Sequence, residues 1–393
     1  MSERSAEPRD GLRHGILQGR LFSSPRNLDA MLLAFLFICV LVGFARGWQP
    51  LGDWKYFVPA GEQLLTDRWR YVYIDNPDAQ SGPIMLIMVH VLDTMGLAWA
   101  RIAIMLCALA ALAVLVLDTR GRRNVRWRLA IGGFFLALWW PRISAFGHID
   151  DAVVSVLAVC AVVLARRDRR WAVGLLAGLA IAVKPTGVFM LAFTVPRQEW
   201  RRLAHWGPAA AGVALAAVIW SPFVLASTKT LEAMRPRMPF IDDSVPGFFG
   251  FDATWPSSTY RTAQLVLVMV VSVYVARRHG PAAVMLAGVT ARLIMDPAAW
   301  QYYTPGMVLA ALVWEAYESE ERMPWLTVGT ALALAPRWAV HAPNVRAGMR
   351  FFWCLIVLCV VIRGVPPEWR RRRSGAGSGE VAGEVAGDPV ASA

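Results

Sequence analysis

The chain is short of charge. Asp, Glu, Lys and Arg make up 17% of its 393 residues, while apolar residues make up 56%. A soluble domain carries about 25% charged residues, so this supply is too thin for a soluble core of the same length. Lysine is nearly missing: Lys55, Lys184 and Lys229 are the only three among 40 basic residues. Cysteine is scarce as well, and Cys39, Cys107, Cys160, Cys354 and Cys359 all fall inside apolar runs. That placement excludes loop disulfides and a cysteine-based zinc site. The chain also lacks a Gly-rich phosphate loop and an internal repeat of the transporter type.

Apolar runs recur from residue 28 to residue 363 and leave no room for a sizeable soluble domain. The net charge of +12 could point to nucleic acid. The basic residues, however, stand in short clusters between apolar runs rather than along a polar face, which excludes a nucleic-acid surface. Such clusters mark cytoplasmic loops. They lie at 120–128, 166–170, 197–202, 277–278 and 370–373. The expected fold is an all-α polytopic membrane protein with about twelve transmembrane helices. Residues 1–27 form a cytoplasmic segment and 28–363 the transmembrane domain. Residues 364–393 are a basic, then disordered, cytoplasmic tail without large apolar side chains. Both termini are expected in the cytoplasm, with the chain in the cell membrane.

Keeping every basic cluster on one side decides two ambiguous segments. The stretch 83–92 is too short to span, so it predicts an in-plane or half-inserted helix before a true span at 98–117. The run 171–195 cannot be a single crossing, because that would carry 197–202 to the wrong side. A break at Lys184-Pro185 yields two short helices whose junction opens into an aqueous cavity, since proline ends a helix and a buried lysine is costly. Further spans are predicted at 129–141, 150–165, 206–226, 260–276, 281–295, 303–317, 324–340 and 348–362. One loop resists the pattern: 336–350 carries Arg337, Arg346 and Arg350 on the outer side.

Two large extracytoplasmic loops result, at 47–82 and 227–259. The first is rich in aromatics and holds Asp53 between Trp48, Trp54 and Tyr56. The stretch 54–65 that follows is amphipathic at helical spacing and is expected to lie on the membrane surface. The same topology sends His148, Asp150, Asp151, Lys184, Trp255, Asp296, Tyr302 and Tyr303 to that side. Arg101 and Arg292 sit near the outer ends of their spans. Charges at such depth cost energy unless paired or solvated, so each is a functional candidate. Each also has a plainer reading. Asp150 or Asp151 can cap a helix, and Asp296-Pro297 fits an N-cap before a first-turn proline. His148 can be an interfacial histidine, and the tyrosines an aromatic belt. Lys184 can snorkel to headgroups. Asp53 can be an exposed loop carboxylate.

Several motifs stand in order along the chain. They are Asp53 with Tyr56 and Gly61-Glu-Gln-Leu-Leu; Ser81-Gly82-Pro83-Ile; Gly147-His-Ile-Asp150-Asp151; Gly178-Leu-Ala-Ile-Ala-Val-Lys184-Pro185; and Asp296-Pro with Tyr302-Tyr303. Together they resemble the glycosyltransferase C superfamily, nearest to actinobacterial polytopic mannosyltransferases that use a polyprenyl-phosphate sugar. The resemblance covers about 28–363. It implies that Asp53 is the general base for an acceptor hydroxyl, with inversion at the anomeric carbon and polyprenyl phosphate as leaving group. It further implies that Lys184, Arg292 and Arg101 bind the donor phosphate. His148, Asp150, Asp151, Trp255, Asp296, Tyr302 and Tyr303 would contact substrate. Many relatives carry paired acids where this chain has Asp53-Trp54, which favours a mechanism without metal or other cofactor. Ser81-Gly82-Pro83 replaces the family's usual Tyr-Pro-Pro. The implied partners are a polyprenyl-phosphate sugar donor, a glycolipid or glycan acceptor of the cell envelope, and the bilayer. Two other classes remain open: a transporter or flippase of lipid-linked sugar, and a non-catalytic envelope-assembly protein.

Overall fold

The computed structural model describes residues 25–46, 52–195, 202–233, 238–252, 256–257, 259–298, 300–334 and 340–363. Trp48, Trp255, Arg337, the cluster at 197–201, most of the N-terminal segment and the tail therefore lie outside the described residues. Among the described residues 80% are helical and no strand forms. The α-helices of six or more residues are α1 (Pro25–Arg46), α2 (Trp54–Leu64), α3 (Pro83–Met95), α4 (Leu97–Asp118), α5 (Arg123–Trp139), α6 (Pro141–Phe146), α7 (Ile149–Arg166) and α8 (Arg170–Val183). A 3-10 segment, Pro185–Thr194, follows. Then come α9 (Gly207–Ala226), α10 (Tyr260–Ala276), α11 (Pro281–Ile294), α12 (Thr304–Glu318), α13 (Trp325–Ala333) and α14 (Pro343–Arg363).

Five stretches are long and apolar enough to cross a membrane: Arg26–Ala45, Leu97–Asp118, Asn124–Phe146, Gly207–Ala226 and Pro343–Arg363. A helix pairs its backbone groups within its own segment, as hydrocarbon demands. Between them stand shorter apolar helices, α3, α8, the 3-10 segment, α10 and α11.

Close backbone approach sets the packing. A Cβ on Gly174 would stand 2.0 Å from Pro208 O, and one on Gly178 would stand 2.5 Å from Gly212 O. Small residues at this spacing let helices touch. Because 174 meets 208 and 178 meets 212, α8 and α9 run parallel, and the chain must return between them. The return is the 3-10 segment, with Gly187 set against Ala180. Lys184, extended at φ −153° and ψ 122°, is the hinge. The break therefore falls where Lys184-Pro185 predicts it.

The basic helix ends gather at one end of the bundle. Arg126 pairs with Asp29 at 2.8 Å, joining the starts of α1 and α5. Arg167 reaches Asp118 at 2.6 Å, and Tyr317 donates to the same carboxylate at 2.8 Å, joining the ends of α4, α7 and α12. His279, in the α10–α11 turn, meets Ile362 O of α14 at 2.9 Å. The opposite end carries Asp53. Both ends of α3 are tied there: Gly82 N–H donates to Val183 O at 2.8 Å, and Asp93 accepts from Trp54 Nε1 at 2.8 Å. Thus α3 lies across that end, as its length requires.

Three local expectations change. The apolar face of α2 (Trp54, Phe57, Ala60, Gly61) is buried, and Gly61 abuts Leu86 and His90 of α3, so protein covers it. Helix α14 begins at Pro343, ahead of the predicted 348, which brings Arg346 and Arg350 into its first turns. Arg346 pairs with Asp243, Nε to Oδ1 at 2.9 Å, and Arg350 donates to the Asp243 carbonyl. Of the arginines that defied the charge pattern, Arg346 is thus paired with a carboxylate of the 227–259 loop and Arg350 is hydrogen-bonded by the same residue. Asp296 caps no helix: its Oδ1 accepts from Ala298 N–H at 3.3 Å in a turn, and the next α-helix starts only at Thr304.

Candidate functional site

Backbone contacts hold Asp53 in place. Gly52 N–H donates to Ala145 O at 2.9 Å and Asp53 N–H to Phe146 O at 3.0 Å. The end of α6 can receive this loop because Gly147 turns the chain left-handed at φ +79°. A Cβ there would also lie 3.2 Å from Trp54 N. Glycine answers both constraints. The next residue, His148, places Nε2 2.9 Å from Asp53 Oδ2 and Nδ1 3.3 Å from Asp150 Oδ1. Its ring stacks on Tyr302 at 3.8 Å and 18°, with Phe57 edge-on at 5.6 Å. Two sequence segments some 95 positions apart are thereby joined at one imidazole.

Beneath His148 the first turn of α7 presents two carboxylates. The Lys184 ammonium bridges them, 2.9 Å from Asp150 Oδ2 and 2.6 Å from Asp151 Oδ2. Ser81 Oγ donates to Asp150 at 3.0 Å. Arg292 of α11 reaches Asp151 Oδ1 at 3.1 Å and stacks over Tyr303 at 4.5 Å. It stands 3.9 Å from Asp296. Tyr302 donates to Tyr303 through their hydroxyls at 3.2 Å. Lys184 is thus an internal counter-ion, and neither Asp150 nor Asp151 serves as a simple N-cap. The hinge that carries Lys184 depends on Gly82, where a Cβ would fall 1.9 Å from Ala182 O.

Burial works against a charge on His148. The Asp150 carboxylate and hydrogen bonds to Asp150 and Asp53 outweigh it, raising the pKa above the ordinary 6.5. Burial likewise raises the Asp296 carboxyl, against the pull of Arg292 and Arg261. The Tyr302 phenol is pushed well above 10, chiefly by burial.

A cavity of about 390 Å³ opens over this cluster, walled by Asp53, Ser81, His148, Arg261, Trp300 and Tyr302 among others. That is the size of a small-molecule site. Of the three acids around His148, Asp53 is the accessible one, 35% exposed, against 1% for Asp150 and 11% for Asp151. A smaller apolar cavity of about 40 Å³ lies against the other side of Arg292 and is lined by Asp151, Asp296 and Phe189.

His148, Asp150 and Asp151 bring one ligand atom each within 4.8 Å of one another, a spacing that suits a divalent cation. The Lys184 ammonium already holds the place where such an ion would neutralise the two carboxylates.

Of the predicted residues, Asp53, His148, Asp150, Asp151, Lys184, Arg292, Asp296, Tyr302 and Tyr303 come together around the two cavities. Arg101 does not. It is buried in α4 on the face it shares with Ile104 and Ala108, and it lines neither cavity. The physical reason is helical register: one face of α4 packs into the bundle, and residue 101 falls on it. Sequence reasoning passed over Arg261, which lines the larger cavity from the first turn of α10. Its signal was a charge just inside the end of an apolar run, the same that marked Arg292. No protein-family model, curated protein or solved structure matches the chain.

Proposed function

We propose that the protein is an integral membrane glycosyltransferase. It moves a sugar from a polyprenyl-phosphate donor to a glycolipid or glycan acceptor on the extracytoplasmic face of the cell membrane. The shorter helices would complete about twelve spans, with the basic helix ends in the cytoplasm. The observation that supports this most is the accessible Asp53 carboxylate, held by buried His148 at the wall of the 390 Å³ cavity. The resemblance to polytopic mannosyltransferases makes mannose the sugar of choice.

In this reading Asp53 takes the proton of an acceptor hydroxyl. The oxygen attacks the anomeric carbon, the bond to the lipid phosphate breaks, and configuration inverts. Among the described residues, His148 engages Asp53 through Oδ2, so Oδ1 is the atom offered to the acceptor. His148 acts as the positioning residue: Asp150 anchors Nδ1 while Nε2 orients the base. General-base help of this kind is worth about 10²–10⁴-fold. The Lys184 bridge does the electrostatic work of a metal across Asp150 and Asp151, which favours a metal-free reaction. Aromatic walls at Trp300 and Tyr302 suit the apolar face of a sugar ring.

The test is Asp53→Asn in purified protein, assayed with a radiolabelled polyprenyl-phosphate sugar. Transfer should fall by about 10²–10⁴-fold with folding intact. Undiminished transfer removes Asp53 as the base. Movement of lipid-linked sugar between leaflets with no glycosidic bond formed would instead identify a flippase.

A further inference from the structure

We infer that Arg261 is the phosphate-binding residue of the cavity, receiving the phosphoryl group of a lipid-linked donor or product. This rests on the transferase reading for the identity of the lipid, while the anion site itself follows from charge and geometry. The cavity holds three cations. Lys184 is neutralised by Asp150 and Asp151 at 2.9 and 2.6 Å. Arg292 is neutralised by Asp151 at 3.1 Å. Arg261 differs: among the described residues no carboxylate lies within 4.0 Å of its guanidinium. Its NH1 meets Gln264 Oε1 at 2.9 Å, and its NH2 meets Gln80 Oε1 at 3.4 Å.

Neutral amide acceptors position a guanidinium without cancelling its charge. Gln264 is nearly fully buried, and its Nε2 donates to Arg292 O at 3.3 Å, so its Oε1 must face Arg261. Arg261 is therefore held as a fork with donors to spare, since a guanidinium has five N–H groups. Bidentate Arg–phosphate pairing is the geometry such a fork favours. Lys184 and Arg292 could serve a phosphate only by abandoning buried carboxylates, which is costly.

The position also suits the chemistry. Asp53 comes from the loop before α2 and Arg261 from the start of α10, and they wall one cavity without pairing to each other. An inverting displacement needs the base and the departing phosphate on different sides of the anomeric carbon. Separate elements supply that separation.

The experiment measures binding of a polyprenyl monophosphate to the purified full chain in nanodiscs, by quenching of tryptophan fluorescence. Wild type, Arg261→Gln, Arg261→Lys and Arg170→Gln are compared, with thermal unfolding as a check on folding. Arg261→Gln should weaken binding at least tenfold, Arg261→Lys should recover part of it, and Arg170→Gln at the far end should bind as wild type. Equal affinity of Arg261→Gln and wild type overturns the phosphate site, as does a wild type that binds no polyprenyl monophosphate. If binding depends on Arg261 but wild type transfers no sugar, the phosphate site stands and the transferase reading falls. If Arg261→Gln unfolds, Arg261→Lys decides: affinity unchanged despite the lost fork overturns bidentate recognition.

Discussion

The two ends of the bundle spend their polar groups differently. At the end bearing the basic helix termini, they close backbone. Arg128 donates to the Glu315 and Ser319 carbonyls at the end of α12. Glu315 accepts from Leu326 N–H at 2.6 Å and Thr327 N–H at 3.1 Å, capping α13. Of the ion pairs there, Arg126–Asp29 is largely buried, while Arg167–Asp118 is partly in solvent, with Arg167 61% exposed. At the Asp53 end, charges meet charges in near-complete burial around Lys184, while Asp53, bound to His148 through one oxygen, and Arg261, held by amide oxygens, keep capacity toward the cavity. The lesson is that a site is marked by charges the fold does not need for itself. Density of charge alone would mark both ends.

Removing a member of the buried network should have the largest effect. Lys184→Gln leaves two carboxylates without a counter-ion, and a broken buried pair costs about 3–5 kcal/mol. Unfolding in detergent should show a loss of that order, with Lys184→Gln/Asp151→Asn regaining part. A loss as small as that of Arg167→Gln would erase the contrast between the two ends.

Next in size is Gly82→Ala. Its Cβ meets the Ala182 carbonyl, and backbone cannot yield as a side chain does, so about 1–3 kcal/mol is expected. The shift should move Lys184 and lower transfer along with stability. Normal transfer in a destabilised variant would show that the hinge tolerates displacement.

The third prediction concerns pH. The His148 pKa is raised in the folded state, so its contribution to stability is complete below the ordinary value of 6.5 and is lost as pH rises through the folded value. The groups facing it are Asp53, Asp150, Asp151, Lys184 and Tyr302. The stability gap between wild type and His148→Gln should shrink with rising pH. A gap independent of pH across the neutral and alkaline range would show that His148 acts by packing alone.

The smallest effect belongs to Arg167→Gln. An exposed pair is worth about 0–1 kcal/mol, and transfer should not change. A fall in transfer would mean that the two ends are coupled through α7.

Much of the fold was legible because it follows from local rules. The break at Lys184-Pro185, the amphipathic α2 and the short α3 each came from spacing, proline chemistry and the segregation of arginine. The site was legible as a set of residues sharing one end, though not as a set of pairs. Arg101 and Arg261 show the difference, since both are arginines just inside an apolar run. Only rotation about the helix axis and the identity of the neighbours turn one into packing and the other toward the cavity. Arg346 and Arg350 likewise looked anomalous until Asp243, more than 100 positions away, was found beside them.

The sequence by itself determined that this chain is helical, belongs in a membrane and keeps its unusual charges at one end. Hydropathy and helix chemistry act over a few turns and can be read from neighbours in the chain. The tertiary structure alone decided which charges cancel, and that Asp53 and Arg261 keep hydrogen-bonding capacity toward one cavity. Ion pairing acts across space at about 3 Å, between residues that the chain holds far apart.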